Sequence, residues 1–297
     1  MSKVENIGIL GYGSYFPEFR IKTSEIADVW DKDPDSVKAL AEEITVDNLD
    51  EDSITIAVQA ALNALNRASN VDPEKIGSVY VGSESPPYAV KPSATIVSTA
   101  IGATNAVGEP QEARMADYEF ACKAGTEALT TTISQVSSDL IDYGLAIGAD
   151  TSQAEPSDIL EYTASSGGTA FIVGERSEDT LAYFEGQLSV GSDTPDFWRK
   201  DSVKYPKHGG RFTGKPAYFR HVMAAAEKLM DELDLSTEDF DYAAFHQPNG
   251  RFPLKVGSAL GFDREKVEPS VITPKTGNFY SGASITGLSR VLDKADP

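Results

Sequence analysis

Apolar residues along this chain follow two alternating rhythms: short, nearly unbroken runs and stretches spaced by three or four. The runs Ile7 to Phe16, Ser78 to Gly82, Tyr143 to Ala149 and Thr169 to Gly174 predict strands. Helical spacing appears at Ile54, Ala57, Val58, Ala61, Leu62 and Leu65, directly after Asp52-Ser53, a good capping pair. It recurs in the small-residue stretch Ala124 to Val136, in Phe219 to Leu233 and in the segment carrying Ile285, Leu288 and Leu292. Ile21 to Leu40 reads as irregular chain and short helical pieces. The second half repeats the pattern, with strands expected at Leu181 to Val190 and Tyr242 to Phe245 and a lead-in at Val271-Ile272. The fold class is α/β, and the halves divide at 1–175 and 176–297. Gly11-x-Gly13 lacks a third glycine, since Phe16 stands there, so it is no dinucleotide fingerprint and serves close strand packing.

Composition narrows the classes. An apolar content of 40% over 297 residues supports a proper core. Met1 to Glu5 carry no basic leader and no stretch is long enough to span a bilayer, so neither a signal peptide nor a membrane span is expected. One cysteine excludes an internal disulfide and fits a reducing compartment, the cytoplasm by default. A formal charge of −20 argues against nucleic acid and anionic membranes as partners. Asp28 to Asp52 holds ten carboxylates and reads as a solvated face. From Arg199 to Arg220, by contrast, seven Lys/Arg meet one acid, a local charge of +6. With Gly209-Gly210 and Gly214, that stretch reads as a loop gripping a phosphorylated ligand; the plainer reading is neutralisation of the chain's own acids.

Candidate chemistry centres on Cys122, in Asp117-Tyr118-Glu119-Phe120-Ala121-Cys122-Lys123-Ala124-Gly125-Thr126. A thiol at the first turn of a helix faces unpaired N–H groups that favour the thiolate, although a lone cysteine is also a common small core residue. Glu84 follows the strand ending at Gly82, and His246 follows Tyr242 to Phe245; ligands meet layered α/β folds at such strand ends. Asn278 lies in a glycine-rich turn. Three histidines and one cysteine make no convincing metal site. A nucleophile, a base, an acid and a donor are thus on hand.

Phe120-Ala121-Cys122-Lys123-Ala124-Gly125-Thr126, Gly82-Ser83-Glu84-Ser85 with Tyr88-Ala89-Val90-Lys91-Pro92, Gly209-Gly210-Arg211-Phe212-Thr213-Gly214, His246-Gln247-Pro248-Asn249-Gly250 and Gly277-Asn278 together resemble the archaeal hydroxymethylglutaryl-CoA synthases of the thiolase superfamily. The resemblance runs from Gly8 onward. It implies a five-layered αβαβα thiolase fold of two similar halves, and a homodimer. It also implies condensation of acetyl-CoA with acetoacetyl-CoA in the mevalonate route, with no cofactor beyond these substrates. Cys122 would carry the acetyl group, Glu84 would remove its methyl proton and His246 would donate to the developing alkoxide. Arg211, Thr213, Lys255 and Asn278 fall on family binding positions, Arg251 stands where the family usually has Lys, and Thr163 lines the acyl pocket. An acetoacetyl-CoA thiolase and a small zinc-ribbon/OB scaffold protein are the implied partners. Family members continue past the last helix with two strands and a serine loop that this chain lacks, so the C-terminal strands of the second half are expected to be missing. The rival readings are a ketoacyl synthase III-like enzyme and an inactive or truncated member of a thiolase complex.

Overall fold

The structure, a computed structural model, describes residues 2–103 and 112–295. Its frame is a six-stranded mixed sheet built from β1 (Ile7–Tyr15), β2 (Ile76–Gly82), β3 (Arg114–Tyr118), β4 (Tyr143–Thr151), β5 (Ser166–Glu175) and β6 (Ala182–Tyr183). The order across the sheet is β3-β2-β4-β5-β1-β6. β2 pairs parallel with β3 and β4, whereas β5 runs antiparallel to both β4 and β1. Parallel neighbours need a crossover, and α3 (Ala124–Ser137) supplies the one between β3 and β4.

The strands are apolar on both faces because both faces are covered. Val79, Val81, Leu145, Ile147, Ala170 and Ile172 point to α1 (Ser53–Arg67) and α2 (Ser93–Ala100). Tyr80, Ala146, Phe171 and Val173 point the other way, onto Ala128, Leu129, Ile133 and Val136 of α3 and Ile285 of the last helix. Asp52 caps α1 as expected: its carboxylate accepts from Ile54 and Thr55, and the Thr55 hydroxyl accepts from the Asp52 N–H in return. Gly11 and Gly13 do serve close packing, since a Cβ on either would fall within 2.5 Å of the α1 backbone at Ala64.

The second half holds α4 (Phe219–Leu233), α5 (Phe252–Leu260) and α6 (Ala283–Leu292). Two of its expected strands differ. Leu181 to Val190 splits its pairing: Ala182–Tyr183 joins β1, and Gly186–Gln187 joins Ser2–Lys3. Tyr242 to Phe245 has no strand neighbour among the described residues, so its apolar pattern forms no ladder; the Ala243 N–H donates to the Lys266 carbonyl. The Val271-Ile272 lead-in passes into a short helical segment, Thr273–Thr276, and the Ile272 and Thr273 N–H groups bond to the side-chain oxygen of Gln247. The basic stretch is not plain loop. It contains a hairpin of β7 (Phe197–Trp198) and β8 (Lys207–His208) and then a wide helical turn, Thr213–Tyr218, leading into α4. No helix among the described residues is long and apolar enough to cross a membrane.

Candidate active site

Cys122 sits between β3 and α3. The chain leaves β3 at Tyr118, turns at Ala121 with φ +45°, and enters α3 at Ala124. Cys122 therefore precedes the helix by two residues instead of occupying its first turn. Close approach fixes this geometry: a Cβ on Gly82, at the end of β2, would come within 2.2 Å of the Ala124 backbone. The end of β2 thus lies directly against the start of α3. Glu84, two residues on, is thereby brought beside the cysteine, near enough for its carboxylate to raise the thiol pKa.

Electrostatics reverse the sequence expectation of a thiolate. Burial pushes the Cys122 thiol well up from its usual value, and the neighbouring Glu84 and Asp150 carboxylates add to the rise. Glu84 is also lifted well above the carboxylate range, first by burial and then by Asp150. One Glu84 oxygen, Oε1, is buried without a protein hydrogen-bond partner.

Asp150, at the end of β4, is the residue that sequence reasoning missed. It is fully buried and gathers five donor contacts: Ser83 Oγ at 2.9 Å, Ser85 Oγ at 2.6 Å and the Glu84 N–H at 2.7 Å on Oδ1, with the Ser281 N–H at 2.9 Å and hydroxyl at 2.6 Å on Oδ2. Burial raises its pKa while these donors oppose the rise. The available signal was a carboxylate closing an otherwise apolar run, with hydroxyls on both sides of Glu84. Asp150 pins the Ser83-Glu84-Ser85 turn to the Ser281 turn of the second half.

That turn carries Asn278. Its N–H donates to the Thr163 carbonyl at 2.6 Å, its carbonyl accepts from Ser165 N–H at 3.2 Å, and its side-chain oxygen accepts from Tyr280 N–H at 3.1 Å. Thr163 and Asn278 are thus brought together, both buried. Tyr280 holds left-handed backbone at φ +39°. Such strain in a non-glycine residue costs about 1 to 3 kcal/mol and concentrates at functional sites; Ala121 and Tyr280 both line one cavity of about 290 Å³ together with Glu84, Phe197, Trp198 and Arg199.

His246 is anchored from two sides. Tyr218 donates to its carbonyl at 2.6 Å, and the fully buried Gln247 donates to the carbonyls of Ser270 and, at 3.4 Å, Ala283, two residues past Ser281. Burial lowers the imidazole from 6.5 to about 4, so it is neutral at physiological pH, and its Nδ1 is buried without a protein partner. Arg211, Arg251 and Lys255 stand exposed at the surface. The Thr213 hydroxyl closes the base of the β7-β8 hairpin, accepting from Gly209 N–H at 3.0 Å and donating to the Asp196 carbonyl at 2.8 Å. Among the described residues no group of three or more His, Cys, Asp or Glu side chains could hold a metal ion.

Comparison with known proteins agrees with this geometry. An HMG-CoA synthase crystallised with CoA superposes with a TM-score of 0.86 at 23% identity, covering 98% of this chain and 76% of that one. A 3-oxoacyl-(acyl carrier protein) synthase III from Pseudomonas aeruginosa superposes at 0.85 with 18% identity, covering 98% and 90%. The scaffold is thus a thiolase-like fold. No family model matches the chain. Curated relatives nevertheless identify the branch: the hydroxymethylglutaryl-CoA synthase of Methanopyrus kandleri is 57% identical over 99% of this chain and 82% of its own length. Those of Pyrococcus furiosus and Methanocaldococcus jannaschii are 54% and 55% identical, again over 82% of their lengths. The chain belongs to the hydroxymethylglutaryl-CoA synthase family.

Proposed function

We propose that the chain condenses acetyl-CoA with acetoacetyl-CoA to hydroxymethylglutaryl-CoA through an acetyl-Cys122 intermediate. The observation that carries this reading is the placement of Glu84 beside Cys122, where the end of β2 lies against the start of α3. The Cys122 thiol gives its proton to the Glu84 carboxylate as sulfur attacks the acetyl carbonyl, and that proton leaves on the CoA sulfur. The regenerated carboxylate then stands beside the acetyl methyl group and removes a proton from it. The carbanion attacks the ketone of acetoacetyl-CoA, neutral His246 donates to the forming alkoxide, and water releases the product from Cys122.

Thr163 and Asn278 form the wall behind the acyl group, while the exposed cations Arg211, Arg251 and Lys255, with Thr213 supporting the loop of Arg211, meet the CoA phosphates. The enzyme works as a homodimer in the cytoplasm of an archaeon, feeding the mevalonate route, and associates with an acetoacetyl-CoA thiolase and a zinc-ribbon/OB scaffold protein. Among the described residues β3 is an edge strand of the sheet, next to Cys122, and such an edge suits pairing between subunits. The test is to follow hydroxymethylglutaryl-CoA formation in the wild type and Glu84→Gln. A loss of at least about a hundredfold is expected for a missing general base; unchanged turnover would reject Glu84 as that base.

A further inference from the structure

The β7-β8 hairpin pairs only two residues per strand, Phe197 with His208 and Trp198 with Lys207. Such a ribbon does not stand by itself in water, so what it rests on decides where it lies. Its inner side closes the cavity over Glu84: Phe197 packs edge-on against Tyr280 at 5.6 Å, Arg199 reaches the Glu84 carbonyl at 3.4 Å, and Trp198 and Pro206 complete the wall. Its outer strand is tied to a single loop, the one that follows Asp150. Lys207 pairs with Glu155, and His208 Nε2 lies 3.3 Å from Asp158 Oδ1. Gly210 N–H donates to His208 Nδ1 at 3.1 Å, which leaves the proton on Nε2, facing Asp158. The same imidazole therefore ties the hairpin to the 151–158 loop and shapes the turn before Arg211.

We propose that the β7-β8 hairpin is a lid over the cavity at Glu84, beside Cys122, and that Lys207–Glu155 and His208–Asp158 are its latch, four positioning residues that set how readily a CoA thioester enters. Surface pairs of this kind are weak; the latch therefore sets the balance between closed and open and leaves the fold intact. The substrate named here rests on the function proposed above, but the lid itself can be read without any substrate.

Trp30 and Trp198 are the two tryptophans of the chain, so in a Trp30→Phe background Trp198 alone reports on the hairpin. Acrylamide quenching of Trp198 is measured in that background, in Glu155→Lys, in Asp158→Ala, and in the double variant Glu155→Lys with Lys207→Glu. The single variants are expected to raise quenching and to shift KM for the thioesters by up to about fivefold, the strong end of what one surface pair is worth. Melting temperature is expected to stay unchanged, and the charge swap to return quenching and KM to the background values. Unchanged quenching in the single variants, no rescue by the swap, or a melting temperature that falls together with the quenching change would each overturn the lid. Failure of the proposed chemistry would appear separately, as an absence of acetylation at Cys122 with the quenching pattern intact.

Discussion

Asp150 shows how one side chain sets the state of two others. Its charge lies close enough to Glu84 and Cys122 to raise both, and its oxygens hold the turn on which Glu84 stands. Asp150→Asn would turn an acceptor toward five donors into a group that also donates, leaving at least one buried N–H or O–H unpaired. A loss of about 1 to 3 kcal/mol in unfolding free energy is expected, measurable by urea denaturation. Removing the Glu84 charge acts oppositely on the thiol: Glu84→Gln lowers the Cys122 pKa, so alkylation by iodoacetamide at fixed pH speeds up, and a slower reaction would contradict the assigned electrostatics. His246 yields a pH signature in stability. Between pH 6.5 and about 4 the unfolded imidazole binds a proton that the buried one refuses. Stability is therefore lost as pH falls through that window, and His246→Gln should flatten this part of the pH–stability curve.

At the level of elements, the close contact of β2 with α3 is what places the chemistry. Gly82→Ala would drive a methyl group into the Ala124 backbone, separating Glu84 from Cys122; loss of activity with a lowered melting temperature is expected, checked by turnover and a thermal scan. The first-half elements were legible in the sequence because burial on both faces writes an unbroken apolar run, as in Leu145 to Ala149, and because Asp52-Ser53 marks a helix start without ambiguity. The second half was harder to read. Tyr242 to Phe245 carries a strand pattern, but pattern alone does not supply a neighbour, and past Val271-Ile272 a distant amide, Gln247, holds the backbone N–H groups of a turn that no local pattern announces. Cys122, Glu84 and His246 were recognisable as reactive types at element ends. Asp150 was not, since its role arises from five contacts that the fold alone brings together, and the thiolate expectation failed because it weighed the helix terminus and not the buried carboxylates.

The molecule as a whole carries a charge of −20. Self-repulsion at that charge is screened by salt over about 10 Å at 0.1 M, so the melting temperature should rise as potassium chloride is increased from low ionic strength. A flat or falling curve would mean that ion pairs such as Arg67–Asp293 and Lys275–Glu42 outweigh the repulsion. Against that acidic surface the basic hairpin and the turn at Arg211 stand out, next to the pocket where the first-half pair meets the second-half turn. Family membership, the adjacent thiol and carboxylate and the nearby cations together support the proposed acetyl transfer to Cys122. Intact-protein mass spectrometry after mixing with acetyl-CoA, then again after adding acetoacetyl-CoA, tests this most directly. The expected result is one acetyl group on Cys122, absent in Cys122→Ala, that disappears as hydroxymethylglutaryl-CoA forms; product formation without any acetyl-enzyme, or an adduct that persists in Cys122→Ala, would contradict it.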